Sequence, residues 1–166
     1  VYDPDPVKVD AFKASYPQAK VARSLDEILD DSEVKLVAAA AVPSERGAIG
    51  CRVMQAGKDY FTDKTPFTSF DQLARAKEVI AETNRKYMVY FSERLHVECA
   101  MHAGDLIEGG AIGKVVQVLG LGPHRLSKES RPDWFFERAK YGGILTDIGS
   151  HQFEQFLHYS GATDAT

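Results

Sequence analysis

Asp147 and His151 stand four residues apart, just after the flexible pair Gly142-Gly143. On a helix that spacing puts a carboxylate and an imidazole on one face. The carboxylate can orient the ring and favour its charged form, giving an acid/base pair able to move a proton near neutral pH. The same spacing also fits a capping residue and a satisfied polar side chain on a partly exposed helix. What the pair means therefore depends on what the rest of the chain sets beside it.

Three other groups bear on it. Lys64 lies in Thr62-Asp63-Lys64-Thr65-Pro66, at the end of a strand candidate. There it can hydrogen-bond a substrate hydroxyl and favour the alkoxide character that develops as hydride leaves the adjacent carbon; the other reading is a surface lysine in a loop. Val42-Pro43-Ser44 ends a second strand candidate at the same edge of the expected sheet, where doubly wound folds bind ligands, although any strand-to-helix crossover has this form. Asp3 would close an earlier strand, where an acid accepts hydrogen bonds from adenosine ribose hydroxyls. A free 2′-hydroxyl, hence NAD, suits it better than NADP. An Asx-type turn before Pro4 fits Asp3 equally well.

The elements that must position these groups are legible from periodicity and caps. Val1-Tyr2 reads as the tail of a strand, and Asp5-Pro6 opens a helix with Val9 and Phe12 on one face, running to about Pro17. Lys20-Val21-Ala22 is a short strand candidate. Ser24-x-x-Glu27 forms a capping box for a helix through about Asp30. Val34 to Val42 has the composition of a buried parallel strand stopped by Pro43, and Ser44 caps a helix that Gly57 ends. Asp59 to Thr62 is the next strand. Ser69-x-x-Gln72 opens a helix with Leu73, Ala76 and Ile80 inward, and Tyr87 to Phe91 alternates as a strand. This β-α-β-α order predicts an α/β fold with a doubly wound parallel sheet. Beyond Ser92 come a helix near Glu98 to Glu108, a strand from Lys114 to Gly120, an irregular segment from Pro123 to Tyr141, and one helix carrying Asp147 and His151. The change of texture divides the chain into residues 1–93 and 94–166.

Composition narrows the partners. A net charge of −4 and a pI near 5.7 over 166 residues give no electrostatic case for nucleic acid or an anionic membrane, so a small-molecule substrate is expected. Cys51 and Cys99 lack a CxxC partner, which argues against a disulfide framework or a structural zinc and favours the cytoplasm. Leu36 to Val42 is too short to span a bilayer. The five histidines show no ligand spacing, so no metal is expected. Arg94 can reach a substrate hydroxyl or carboxylate, or can be a salt-bridged interdomain arginine. Trp134, beside Phe135 and Phe136, and Tyr141 are candidates to wall a ligand, or are packing.

Together these residues resemble the Gfo/Idh/MocA family of NAD(P)-dependent oxidoreductases over nearly the whole chain. The family's Glu-Lys-Pro strand end is matched by Asp63-Lys64-Thr65, and its glycine-rich turn into Asp-x-Gly-x-His by Asp147, Gly149 and His151. Thr65 stands where the family usually has proline, Ile144 replaces a third glycine, and Glu154 stands where an aspartate is common. The resemblance implies catalytic roles for Lys64, Asp147 and His151, and a cofactor side formed by Asp3, Pro43, Ser44, Asp63 and Lys64. It also implies that residues 94–166 begin an α+β domain with a mostly antiparallel sheet, of which Lys114 to Gly120 would be the first strand. The full-length protein is expected to be a homo-oligomer, a dimer or tetramer.

No Gly-x-Gly-x-x-Gly turn occurs in the sequence, although that turn should follow the first strand and cradle a pyrophosphate. In the usual order 3-2-1-4-5-6, losing strand 1 splits the sheet at its centre. The expectation is thus a piece of a longer dehydrogenase of sugars, cyclitols or related polyols, lacking its first βα unit. Two alternatives share the fold: a glycoside hydrolase or lyase that uses NAD transiently, and a non-catalytic dinucleotide sensor.

Overall fold

The structure is a computed structural model that describes residues 1–122 and 124–163. Three parallel strands form its centre: β1 (Leu36–Ala39), β2 (Asp59–Asp63) and β3 (Tyr87–Tyr90), in that spatial order. Leu36 pairs with Asp59, and Tyr60 with Tyr87. Ahead of the sheet lie helices α1 (Pro6–Ser15) and α2 (Leu25–Asp30), and α3 (Pro43–Gln55) and α4 (Phe70–Thr83) form the crossovers between strands. The strand read over Val34 to Val42 is shorter, Leu36–Ala39, although Lys35 O still accepts from Asp59 N–H at 2.9 Å.

Caps set the helix starts. Asp5 and Ser24 accept from the N–H groups of Val7 and Glu27, and Ser69 from that of Gln72. In both expected capping boxes the N3 side chain reaches one residue further back than the usual N-cap N–H: Glu27 accepts from Arg23 N–H and Gln72 from Thr68 N–H. α3 starts two residues earlier than expected. Its N-cap is Val42, with no side-chain cap bond, and Pro43 occupies the first turn, where its missing N–H costs nothing.

The core comprises Val37, Cys51, Val53, Met54, Tyr60, Ala76 and Val79. Ala76 of α4 is buried as expected, but Ile80, read as inward, is exposed, and Val79 takes the buried position one turn beyond Ala76. α3 crosses β2 and β3 at Gly50, where a Cβ would lie 2.4 Å from a ring carbon of Tyr87 and 2.7 Å from one of Tyr60. Those rings meet edge to face at 4.9 Å, and Tyr87 also packs on Phe67.

Val1-Tyr2 and Lys20-Val21-Ala22 do not form strands, but they touch in the pattern of a parallel ladder. The Val1 amino group donates to Lys20 O, and Ala22 N–H donates to Val1 O at 2.9 Å. Among the described residues no ladder joins this pair to the three-stranded sheet.

After β3 come α5 (Ser92–Leu95), α6 (Glu98–Glu108), two short 3-10 turns, α7 (Arg138–Tyr141), α8 (Ile144–Asp147) and α9 (Gly149–Ser160). The strand expected from Lys114 to Gly120 is absent. A strand persists through ladder hydrogen bonds, and among the described residues nothing pairs with this stretch. Val116 and Leu119 are almost fully exposed, while Gly120 packs against Phe156 of α9. Among the described residues no helix is long and apolar enough to cross a membrane.

Candidate active site

β2 ends at Asp63, and Lys64 follows at the carboxyl edge of the sheet. Its Nζ donates to Asp147 Oδ1 at 2.5 Å, and both side chains are largely buried. A second tie runs beside the first: Thr65, fully buried, donates its hydroxyl to Thr146 O at 2.8 Å. The peptide between Lys64 and Thr65 is cis.

Gly142 and Gly143 deliver α8 to this edge. Both have positive φ, +88° and +95°, which side chains disfavour, and a Cβ on Gly142 would crowd Thr146 and Thr68 at 3.2 and 3.3 Å. The single helix expected to carry Asp147 and His151 is two helices that meet at Ile148. His151 N–H reaches back three residues to Ile148 O, and Ser150 Oγ takes up Asp147 O. Asp147 consequently faces Lys64. Among the described residues it makes no hydrogen bond to His151, contrary to the pair read from their spacing. Asp147 Oδ2 and His151 Nδ1 are both buried without a hydrogen-bond partner.

His151 is 3% exposed, with Phe91 edge-on to its ring at 6.1 Å. Burial pushes its pKa below the ordinary imidazole value. Glu93 opposes that shift, while the Lys64 ammonium adds to it. The ring is therefore held toward its neutral form, the reverse of the charged form expected from a neighbouring aspartate. Glu93 is itself fixed: one oxygen lies 2.6 Å from His124 Nε2, and the other accepts from Gln152.

The remaining expected residues separate. Arg94 is engaged by Glu154 of α9 through Nε, at 2.7 and 3.0 Å, and through Nη2, so of its two readings the geometry is that of the ion pair. Trp134 and Tyr141 both stand next to Phe135, with ring centroids 6.0 and 5.3 Å away, and Arg131 covers that ring. Asp3 makes the Asx-type bond, accepting from Asp5 N–H at 2.9 Å through Oδ1. Pro43 is buried, and Ser44 O accepts from Gln72. Asp63 is half-buried, and its carbonyl accepts from Arg46.

Arg46 was not among the expected residues. It is 6% exposed and donates Nε to Ala41 O at 2.7 Å and Nη1 to the carbonyls of Asp63 (3.0 Å), Lys64 and Thr65 (3.3 Å). One signal for it was readable: Arg46, Gly50 and Val53 share a helical face that turns into the core.

Residues 1–91 match the oxidoreductase family with an NAD-binding Rossmann fold, and residues 100–165 match the Gfo/Idh/MocA C-terminal domain. The chain belongs to the Gfo/Idh/MocA family. Among solved structures, a protein of Erwinia carotovora atroseptica, classed provisionally as an oxidoreductase, is 42% identical with a TM-score of 0.93, covering 98% of this chain and 48% of that one. Levoglucosan dehydrogenase in complex with NADH and levoglucosan shares the fold at 21% identity, with a TM-score of 0.78 over 96% of this chain and 44% of that one. Among curated relatives, scyllo-inositol 2-dehydrogenase (NADP(+)) of Bacillus subtilis is 23% identical, with 95% of this chain covering 44% of its length. The chain spans about two fifths of the length of the curated relatives it matches.

Proposed function

We propose that the full-length protein transfers a hydride between a hydroxyl-bearing carbon of a sugar, cyclitol or related polyol and NAD, with NADP as the alternative nicotinamide. The observation that carries this reading is the convergence of Lys64, Asp147 and His151 at the carboxyl edge of β2. A buried carboxylate oxygen and a buried imidazole nitrogen, both unpaired beside a buried ammonium, suit a ligand rich in hydroxyls, since buried polar atoms are ordinarily satisfied. The dehydrogenases of levoglucosan and scyllo-inositol that share the fold or the family support this substrate class.

A dinucleotide would be held by the start of α3, at the same edge, and by Asp3. No side chain caps the first turn of α3 at Pro43 and Ser44, and only Oδ1 of Asp3 is used by its turn, leaving Oδ2 for a ribose hydroxyl. Bound there, the nicotinamide would supply the hydride acceptor, and every other part of the chemistry falls to the chain. Lys64 donates a hydrogen bond to the reacting oxygen and stabilises its negative charge as the proton departs. His151, held neutral by burial, accepts that proton. Asp147 holds Lys64 in place through Oδ1 and offers Oδ2 to a neighbouring hydroxyl.

The test is turnover of the full-length protein with NAD+ and levoglucosan or scyllo-inositol. A net rise in reduced-nicotinamide absorbance, matched by oxidised product, is expected. Product without net reduction would replace this reading with a transient hydride cycle.

The pH profile follows from the direction of the His151 shift. Protonation removes the base, and the folded-state pKa lies below 6.5. The oxidation rate should therefore fall as the pH drops through a His151 ionisation that lies below the ordinary imidazole value, and level off at higher pH. A controlling ionisation above 6.5 that His151→Gln abolishes would contradict a neutral buried base.

A further inference from the structure

We propose that Arg46 is a positioning residue, whose guanidinium locks the ends of β1 and β2 together and so aims Lys64 Nζ at Asp147. This rests on the reading of Lys64 as the group that binds the reacting oxygen. At the ends of two adjacent parallel strands, Ala41 beyond β1 and the last β2 residue Asp63 with Lys64 and Thr65 after it would otherwise be joined by no β1–β2 ladder bond, because that paired register stops at Ala39 and Thr62. Arg46 spans the gap. Nε turns to Ala41 O, and Nη1 faces three consecutive carbonyls, those of Asp63, Lys64 and Thr65. The planar fork fixes the angle between these two directions, which a lysine ammonium on a flexible stem does not.

The placement argues for more than packing. Among the described residues Arg46 has no carboxylate in salt-bridge contact, so its charge is spent on main-chain carbonyls that bracket Lys64. Burial depresses its pKa, and Asp63 is the strongest group acting against that shift. A buried charge with this arrangement costs stability unless its hydrogen bonds are all made. Here Nη1 makes its bonds to the segment whose side chain enters the site. A displacement of about 1 Å at that segment is enough to lose most of a positioned group's contribution.

The test uses the full-length protein without cofactor or substrate and reads the accessibility of individual lysines by reductive methylation with formaldehyde and cyanoborohydride, mapped by peptide mass spectrometry. Lys58 is the internal control. It is 4% exposed and held by the carbonyls of Asp31 and Val34, so it reports general loosening of the sheet domain. In Arg46→Lys, and in Arg46→Gln as the second variant, methylation of Lys64 should rise by about tenfold, the change that one lost local interaction of ordinary strength produces in an opening equilibrium, while Lys58 stays at its wild-type rate. Lys58 and Lys64 rising together would reduce Arg46 to a structural residue, and an unchanged Lys64 in the folded variants would also overturn the proposal. Because no turnover is measured, these outcomes are independent of whether Lys64→Met retains activity, which tests the reading of the site itself.

Discussion

Lys64→Met and His151→Ala should each lower turnover of the full-length protein by about 10²- to 10⁴-fold, the range a positioned acid, base or charge commonly contributes. NADH affinity, followed by fluorescence titration, should change little, because neither the β1–α3 crossover at Pro43 and Ser44 nor the Asp3 turn depends on these side chains. Methionine is chosen at position 64 to keep the apolar stem of lysine. Even so, removing the ammonium leaves Asp147 as a buried carboxylate without its partner, a change that costs about 3–5 kcal/mol when the site is fully desolvated. A loss of activity caused by unfolding is separated from a loss of chemistry by the double variant Lys64→Met/Asp147→Asn, which removes both charges. It should regain most of the stability and none of the turnover. Wild-type turnover in both Lys64→Met and His151→Ala would show that the reacting oxygen is bound elsewhere.

A comparably large effect on stability is expected at Gly50→Ala. The added methyl would stand 2.4 Å from Tyr87 Cε2 and 2.7 Å from Tyr60 Cδ1, inside the distance at which carbon atoms repel. Neither ring has room to yield. Tyr60 is fully buried, and Tyr87 is wedged between Tyr60 and Phe67 with its hydroxyl bonded to Pro66 O. Overfilling a packed core costs about 1–3 kcal/mol, and two obstructed rings put this case at the upper end. Urea unfolding should show a lower midpoint with an unchanged slope. Gly50→Ala/Tyr87→Leu should recover part of the loss, because leucine vacates the space the methyl needs. An unchanged midpoint in Gly50→Ala would mean that α3 can lift from the sheet at little cost.

Local signals carried the reading of the sheet domain. Asp5, Ser24 and Ser69 cap the helices assigned to them, because a hydroxyl or carboxylate at a helix start acts on N–H groups two or three residues away. The parallel order of β1, β2 and β3 follows from strands alternating with helices. What failed depended on partners distant in sequence. Lys114 to Gly120 has the composition of a strand, but composition does not supply the neighbouring edge. Asp147 and His151 share a helical spacing, yet the break at Ile148 and the arrival of Lys64 from another element turn Asp147 to a different partner. Arg46 was overlooked for the same reason: its four acceptors lie at the ends of two different strands, and only the fold brings them to one guanidinium.

The ties that build the site span long stretches of chain: Thr65 to Thr146 crosses 81 residues, Lys64 to Asp147 crosses 83, and Arg94 to Glu154 crosses 60. Closing such loops costs entropy before any contact rewards it, whereas the β-α-β crossovers close over shorter spans. The three parallel strands can thus be complete in a folding chain that has not assembled the proposed site. The reverse also holds on warming, when parting α8 and α9 from the strand ends cuts all three ties and breaks no ladder bond. Inactivation and unfolding are separate events in such a molecule, and heat should reach the first before the second.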